Sequence, residues 1–198
     1  MNPKGQDYPD LLSKIAEQVV NLAEVKTTPI ILIDGPAAAG KSTFAKELKN
    51  KLFKDLEQSP KLIHMDDLYP GWEGLREGSN YLLRNILEPI TKGKTAAWQI
   101  WDWEKSERGN QNEPGNGWRE FTGGTPLIIE GCGSLSRASK ELADLTVWID
   151  APLEIRRARF SQRDNGTFDQ FWNTWMMQEQ EFYKTEKSAE LADFKISS

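Results

Sequence analysis

The chain has 198 residues and a formal net charge of −5 at pH 7, which is typical of one acidic domain with a substantial core. That charge excludes a broad nucleic-acid surface, and no apolar run is long enough to span a membrane. The single cysteine, Cys132, excludes an internal disulfide, and the first residues lack a signal-peptide pattern. We therefore expect a cytoplasmic protein that binds neither nucleic acid nor membrane.

Apolar patterns along the chain predict strands that alternate with helices. Apolar positions at helical spacing predict a first helix over residues 8–25. Apolar runs predict five buried strands, over residues 29–34, 61–65, 126–130, 145–150 and 192–196. Further helices are predicted from Thr43 to about residue 56, over 79–91 with Ser79 as N-cap, from Pro152 to about 163, and over 168–184. Such alternation favours an α/β fold in one domain over residues 1–198, a three-layer sandwich around a five-stranded parallel sheet.

The segment between the second and third predicted strands is rich in tryptophan. Five of the eight tryptophans fall there: Trp72, Trp98, Trp101, Trp103 and Trp118. Residues 96–103 and 118–121 are predicted to pair as a small β-hairpin, within an insert over about 94–122 on the acceptor side. Residues 109–117, which hold little apolar area, are predicted to be mobile. The tryptophans form either an aromatic-lined pocket or a second small core.

A glycine-rich loop follows the first predicted strand. Gly35 and Gly40 are separated by four residues, and Lys41 and Ser42 follow directly. Glycines let backbone N–H groups converge on one anion, the lysine can reach the β- and γ-phosphates, and the serine hydroxyl can ligate Mg²⁺. A helix N-terminus, which attracts anions, comes next. The pattern predicts a nucleotide-phosphate site formed by Gly35, Pro36, Ala37, Ala38, Ala39, Gly40, Lys41, Ser42 and Thr43.

Several classes of phosphate-loop protein carry a second motif that this chain lacks. Its Asn50-Lys51-Leu52-Phe53 is not the Asn-Lys-x-Asp guanine motif, and no Leu-Ser-Gly-Gly transporter signature is present. A motor ATPase usually ends its third strand in Asp-Glu, whereas this chain has Glu130-Gly131. The class that remains is small-molecule phosphotransfer.

Carboxylates stand at the carboxyl ends of the second and third predicted strands, where open α/β sheets bind ligands. Asp66 or Asp67 can accept the proton of an acceptor hydroxyl or hold Mg²⁺ through water. Successive strand residues point to opposite sides, so only one of the pair is expected to face the phosphate. Glu130 can orient a Mg²⁺-bound water. The alternatives are a solvated acidic turn and a structural glutamate.

Arginines cluster on the helix predicted after Pro152. Arg156, Arg159 and Arg163 share a face at positions i, i+3 and i+7, and guanidinium groups suit a transferring phosphoryl group. We predict that residues 152–168 form an arginine lid, with a solvated charged face as the alternative. His64, the only histidine, is interpreted as a core residue because its predicted strand is apolar.

The order of these motifs resembles that of the uridine kinase-like branch of the P-loop nucleoside and nucleotide kinases, over roughly residues 29–197. Uridine kinases carry Asp-x-Phe-Tyr after the second strand, and the similar Asp66-Asp67-Leu68-Tyr69 implies that Asp66 is the catalytic base and Tyr69 a pocket residue. Their Tyr-Asp-Phe motif with a following arginine is similar to Trp101-Asp102-Trp103 with Arg108, which implies that Asp102 holds ribose-type hydroxyls. Ser106 stands where that family has its base-recognising histidine, so the acceptor stays open.

We therefore expect an ATP- and Mg²⁺-dependent phosphotransferase that acts on a hydroxyl of a nucleoside-like small molecule. Lys41, Asp66, Arg159 and Arg163 are the expected catalytic residues, Arg156 contacts the nucleotide, and Ser42 and Glu130 serve Mg²⁺. The expected acceptor residues are Asp67, Tyr69, Trp72, Trp101, Asp102, Trp103 and Arg108. Two alternatives stay open: a nucleoside monophosphate kinase, which would use Arg76, Arg84 and Arg119 as extra cations, and a nucleotide-binding regulatory protein without acceptor activity.

Overall fold

The computed structural model describes residues 8–163 and 165–198. The strands in these residues are β1 (Ile30–Asp34), β2 (Lys61–His64), β3 (Ala96–Gln99), β4 (Trp101–Asp102), β5 (Glu107–Arg108), β6 (Trp118–Phe121), β7 (Leu127–Glu130), β8 (Leu145–Asp150) and β9 (Phe194–Ser197). The α-helices are α1 (Tyr8–Val25), α2 (Lys41–Leu56), α3 (Leu75–Leu82), α4 (Glu88–Thr91), α5 (Arg137–Lys140), α6 (Leu153–Arg163), α7 (Trp172–Glu186) and α8 (Ser188–Leu191). A π-helical turn, Leu83–Leu87, joins α3 to α4.

Five of the strands form a parallel sheet in the order β2-β7-β1-β8-β9. The central strand β1 is buried along its whole length, as expected for a strand with neighbours and helices on every side. Parallel pairing brings the carboxyl ends of β1, β2 and β7 to the same edge of the sheet. The predicted five-stranded parallel sheet is confirmed, and each strand end lies within two residues of its predicted position.

Helices cover both faces of the sheet because side chains of a strand point alternately to its two sides. Ile31 and Ile33 of β1 belong to one core with buried residues of α1 and α2. Ile30 and Leu32 of the same strand belong to a second core with buried residues of α3 and α7. The two cores confirm the predicted three-layer sandwich.

The helix predicted over 79–91 begins earlier than its pattern indicates, at Leu75. The prediction of Ser79 as N-cap is wrong, since Ser79 is buried inside α3 and Gly74 is the N-cap. Gly78 suggests a helix break in sequence, but a Cβ atom there would come within 2.5 Å of the Tyr69 ring. Close packing against that ring therefore accounts for a glycine inside the helix.

Two small antiparallel pairs occupy the connection between α4 and β7. β3 pairs with β6, so that Ala96 lies opposite Phe121 and Gln99 opposite Trp118. The predicted hairpin is therefore present, but its first strand ends at Gln99, and β4 pairs separately with β5. Residues 109–117 form turns in which Gly115 and Asn116 have positive φ angles, and the mobility of this segment stays a prediction.

Candidate active site

The phosphate loop joins β1 to α2 and encloses the side chain of Lys41. A Cβ atom at Gly35 would overlap the carbonyl oxygen of Ile149, and φ there is +145°, so glycine is required. The buried Lys41 ammonium donates to the carbonyl oxygens of Gly35 at 2.7 Å and Pro36 at 2.8 Å. Burial lowers the pKa of Lys41, but the acidic groups around it outweigh burial, so its pKa is raised. The lysine therefore stays charged at the position where a phosphate would bind.

Asp34 anchors this loop to the segment that follows β7. Its carboxylate is fully buried and accepts hydrogen bonds from the backbone N–H groups of Gly35, Gly133 and Leu135 at 2.6, 3.0 and 2.8 Å. The Tyr183 hydroxyl also donates to it, at 2.8 Å. Burial raises the pKa of Asp34 to about 6, although these donors oppose the shift. Asp34 thus stabilises the position of the loop through these hydrogen bonds, and it does not line the cavity.

Glu130 connects α2 to the end of β2. One of its carboxylate oxygens accepts a hydrogen bond from the Ser42 hydroxyl at 2.9 Å and lies 2.6 Å from Nδ1 of His64. The Glu130 side chain is 6% exposed, whereas that of His64 is 46% exposed. The hydrogen bond to Glu130 raises the pKa of His64, and its burial opposes that shift. The interpretation of His64 as a core residue is therefore wrong: it is the last residue of β2, at the edge where the carboxylates gather.

The two aspartates that follow β2 lie in a 3₁₀ turn, Met65–Asp67. Both line the cavity described below. The cavity walls desolvate Asp66 and raise its pKa, the charge of Glu130 adds to this, and Arg163 and Lys41 oppose it. Burial likewise raises the pKa of Asp67, with His64 opposing. A carboxylate with a raised pKa is a better proton acceptor than an ordinary one.

A cavity of about 600 Å³ lies over the phosphate loop. It brings together the predicted site residues Ala37, Ala38, Ala39, Gly40, Lys41, Ser42, Thr43, Asp66, Asp67, Tyr69, Trp72, Trp103, Glu130, Arg159 and Arg163. The predicted residues that do not line it are Gly35, Pro36, Trp101, Asp102, Arg108 and Arg156. The cavity thus joins the phosphate loop, the carboxylates, part of the predicted lid and several aromatic rings.

Arg156, one of the three predicted lid arginines, contacts other residues of the protein. Its guanidinium lies 3.7 Å from a carboxylate oxygen of Glu179, and it donates to the carbonyl oxygen of Ala37 at 3.4 Å. Glu179, on α7, is 3% exposed and accepts hydrogen bonds from the Ala37 N–H at 2.6 Å and the Cys132 thiol at 3.2 Å. Burial raises the pKa of Glu179, and Lys41 is the main opposing charge.

Glu179 therefore ties the phosphate loop to the lid helix, a role that the sequence did not indicate. It belongs to no motif, and its helix was predicted only from apolar spacing. Arg156 is the partner that brings α6 to the same carboxylate. The assignment of Arg156 to the nucleotide stays a prediction, and in this structure the guanidinium faces the loop from outside the cavity.

The predicted acceptor residues fall into two groups. Tyr69, Trp72 and Trp103 line the cavity. Tyr69 is buried and its hydroxyl donates to the carbonyl oxygen of Cys132 at 2.7 Å. The Trp103 indole N–H donates to the backbone carbonyl oxygen of Asp66 at 3.0 Å. These rings therefore adjoin the predicted base.

The second group supports the small antiparallel pairs. Asp102 is buried and accepts from the backbone N–H groups of Glu104 and Lys105, each at 3.0 Å, so it caps a turn. Arg108 donates to the carbonyl oxygen of Leu68 at 2.8 Å, and its guanidinium lies 3.7 Å from the centre of the Tyr81 ring. Ribose binding by Asp102 stays a prediction, and Asp102 does not line the cavity.

The described residues contain no group of three histidine, cysteine, aspartate or glutamate side chains that could hold a metal ion by itself. None of their helices combines the length and apolar character that crossing a membrane requires.

Comparisons with known proteins agree with the fold. A family model described as an AAA domain matches residues 31–182. A structure of a possible uridine kinase from Bacillus stearothermophilus aligns with a TM-score of 0.65 at 17% identity, and the match covers 96% of this chain and 100% of that one. D-glycerate 3-kinase from Cryptococcus neoformans aligns with a TM-score of 0.56 at 14% identity, covering 96% and 91%. No curated protein sequence matches the chain.

Proposed function

Because the chain belongs to the AAA domain family and has the fold of P-loop kinases, we propose that it is an ATP- and Mg²⁺-dependent kinase of a nucleoside-like alcohol. One observation carries the proposal: Asp66 opens into the same cavity as Lys41, the phosphate loop and the arginines of α6. Two of the structural neighbours are named as a possible uridine kinase and a D-glycerate 3-kinase, which supports a small-molecule acceptor.

The donor set beside the loop fits Mg²⁺. The Ser42 hydroxyl and the Glu130 carboxylate supply hard oxygen atoms 2.9 Å apart, and Mg²⁺ commonly takes one or two protein oxygens while phosphate and water complete its shell. The absence of a cluster of three acidic or histidine side chains among the described residues suits such a site. When bound, the ion would neutralise charge on the β- and γ-phosphates.

The reaction divides among residues of this chain. The backbone N–H groups of the loop and Lys41 would hold the phosphates, and Lys41 would exchange its contacts with the Gly35 and Pro36 carbonyl oxygens for phosphate oxygens. Asp66 would take the proton of the acceptor hydroxyl while the hydroxyl oxygen forms a bond to the γ-phosphorus. The bond from that phosphorus to the bridging oxygen then breaks and ADP leaves. Arg159 and Arg163 would stabilise charge on the transferring group.

The charged residues around the cavity favour an acceptor alcohol without a phosphate over a nucleoside monophosphate. A monophosphate would need further cations, and the candidates were Arg76, Arg84 and Arg119. Arg76 pairs with Glu186 at 3.1 Å and Arg119 with Glu113 at 2.8 Å, and none of the three arginines lines the cavity. Among the described residues, the cationic side chains that line the cavity are therefore Lys41, Arg159 and Arg163, and none of the three candidate arginines adds to them.

The proposal is tested by ADP formation with Mg²⁺-ATP and a panel of nucleosides, nucleoside monophosphates and sugars. A nucleoside-dependent rate is expected, with Asp66→Asn lowering kcat by about 100- to 10,000-fold while the Kd for ATP changes little. Asp67→Asn is the matched control, because Asp67 lines the same cavity. ADP formation with monophosphates alone would favour the monophosphate kinase, and ATP binding without ADP formation would favour a regulatory protein. A larger loss in the Asp67 variant would transfer the base assignment to that residue.

A further inference from the structure

Six aromatic rings form part of the cavity wall. The rings that line it belong to Tyr69, Trp72, Trp103, Phe160, Phe168 and Trp175. The centre of the Trp72 ring lies 5.1 Å from that of Trp103 and 5.3 Å from that of Phe168, with the planes tilted. Aromatic faces of this kind stack on flat rings, and indole faces attract cations most strongly.

The tryptophan rings are held in place by contacts outside the cavity. Phe171 stacks on Trp72 at 4.6 Å with 5° between the planes, and the Gln178 side-chain amide donates to the Trp72 carbonyl oxygen at 2.6 Å. The hydrogen bond from Trp103 to the carbonyl oxygen of Asp66 holds that ring beside the predicted base. Because these rings are already ordered before a ligand binds, binding costs less conformational entropy, and the rings are suited to stacking on a flat ligand ring.

The charged side chains that line the cavity balance one another, so a bound nucleotide would decide the sign of the potential there. Among the described residues, three cationic side chains (Lys41, Arg159, Arg163) and three anionic ones (Asp66, Asp67, Glu130) line it. Bound Mg²⁺-ATP would add about two net negative charges, so the acceptor would enter a site of negative potential. Among the described residues, no hydrogen bond or ion pair joins another side chain to the carboxylates of Asp66 and Asp67. The positive charges of Arg163, Lys41 and His64 act on Asp66, and those of His64 and Arg119 act on Asp67, from a longer distance.

We propose that the acceptor is a nucleoside-like alcohol whose flat ring carries a positive charge, such as the N-riboside of a pyridinium. The ring would lie against Trp72, Trp103 and Phe168, with Asp67 as a counter-charge, and the hydroxyl would meet Asp66. This assignment rests on the proposed kinase function for the reaction, but its recognition step does not depend on phosphoryl transfer. A neutral ring lacks the attraction to the carboxylates and indole faces, and an anionic acceptor is repelled.

Two ribosides of the same shape and different charge separate the contribution of ring stacking from that of the positive charge. The probes are 1-(β-D-ribofuranosyl)pyridinium and the neutral phenyl β-D-C-riboside, titrated calorimetrically into the full chain with Mg²⁺ and a non-hydrolysable ATP analogue. The pyridinium riboside is expected to bind about tenfold more tightly. Trp103→Leu and Asp67→Asn are each expected to reduce this preference. Trp118→Leu, which removes a 52% exposed tryptophan outside the cavity, should leave it unchanged.

The inference is overturned by equal Kd values for the two ribosides, by tighter binding of the neutral one, or by binding of neither. A preference that survives both cavity variants also overturns it. Phosphoryl transfer is measured separately as ADP formation with each riboside. A charge preference in binding without ADP formation would contradict the proposed kinase function alone, whereas equal rates with both ribosides would contradict the charged acceptor alone.

Discussion

Glu179 offers a sharp test of how the phosphate loop is held. In Glu179→Ala the Ala37 N–H loses its acceptor, and a buried unpaired donor costs about 1–3 kcal/mol. Arg156, whose side chain is 12% exposed, also loses its carboxylate. Loss of one partner of a buried pair can cost about 3–5 kcal/mol, but the separation of 3.7 Å and the remaining hydrogen bond from Arg156 to the Ala151 carbonyl oxygen reduce that figure. We expect the free energy of unfolding to fall by about 2–4 kcal/mol in total.

The amide variant separates hydrogen bonding from charge. Glu179→Gln keeps an oxygen for the Ala37 N–H, and burial already raises the pKa of Glu179, so a neutral group is tolerated there. We expect a change of about 1 kcal/mol or less in this variant. Glu181→Ala is the matched control, because Glu181 lies on the same helix and is exposed.

Urea denaturation measures all three variants. With a slope of about 2 kcal/mol per molar urea, the alanine variant should shift the midpoint down by about 1–2 M, and the other two by less than about 0.5 M. Equal midpoints for Glu179→Ala and Glu181→Ala would refute the structural reasoning. A loss in the glutamine variant as large as in the alanine variant would mean that the charge, and not the accepted hydrogen bond, stabilises the loop.

Two further predictions concern the loop and the edge of the sheet. Gly35→Ala should lower the free energy of unfolding by more than about 3 kcal/mol, measured by denaturant titration, whereas Gly71→Ala should cost less because open space surrounds that position; similar losses would contradict the overlap at Gly35. The chain's single histidine gives one imidazole signal in NMR, so the pKa of His64 can be measured directly: it should exceed 6.5 and fall in Glu130→Gln. Because the folded-state pKa is raised, the stability that His64 contributes should be present below pH 6.5 and be lost as the pH rises through the folded-state pKa. An unchanged pKa in the glutamine variant would exclude the pair as its cause.

Local sequence patterns were sufficient to predict the fold, because an apolar run or an apolar helical spacing involves only residues that are close together in the chain. The apolar runs that became β1, β7 and β8 are buried whichever strand lies beside them, so their positions follow from composition alone. The start of α3 was misjudged because serine is a common N-cap residue, whereas Ser79 is buried inside the helix and Gly74 is the N-cap.

At the candidate site, too, some features follow from the local sequence and others depend on tertiary contacts. The amino-acid sequence by itself determined the phosphate loop, the parallel sheet and the carboxylates at its edge, since a close-packed turn and buried strands require particular residues at fixed spacing. Only the tertiary structure decided that His64 shares Glu130 with Ser42 and that Glu179 joins Ala37 to Arg156. Those side chains come from elements far apart in the chain, and no local spacing specifies which groups meet when helices pack on a sheet.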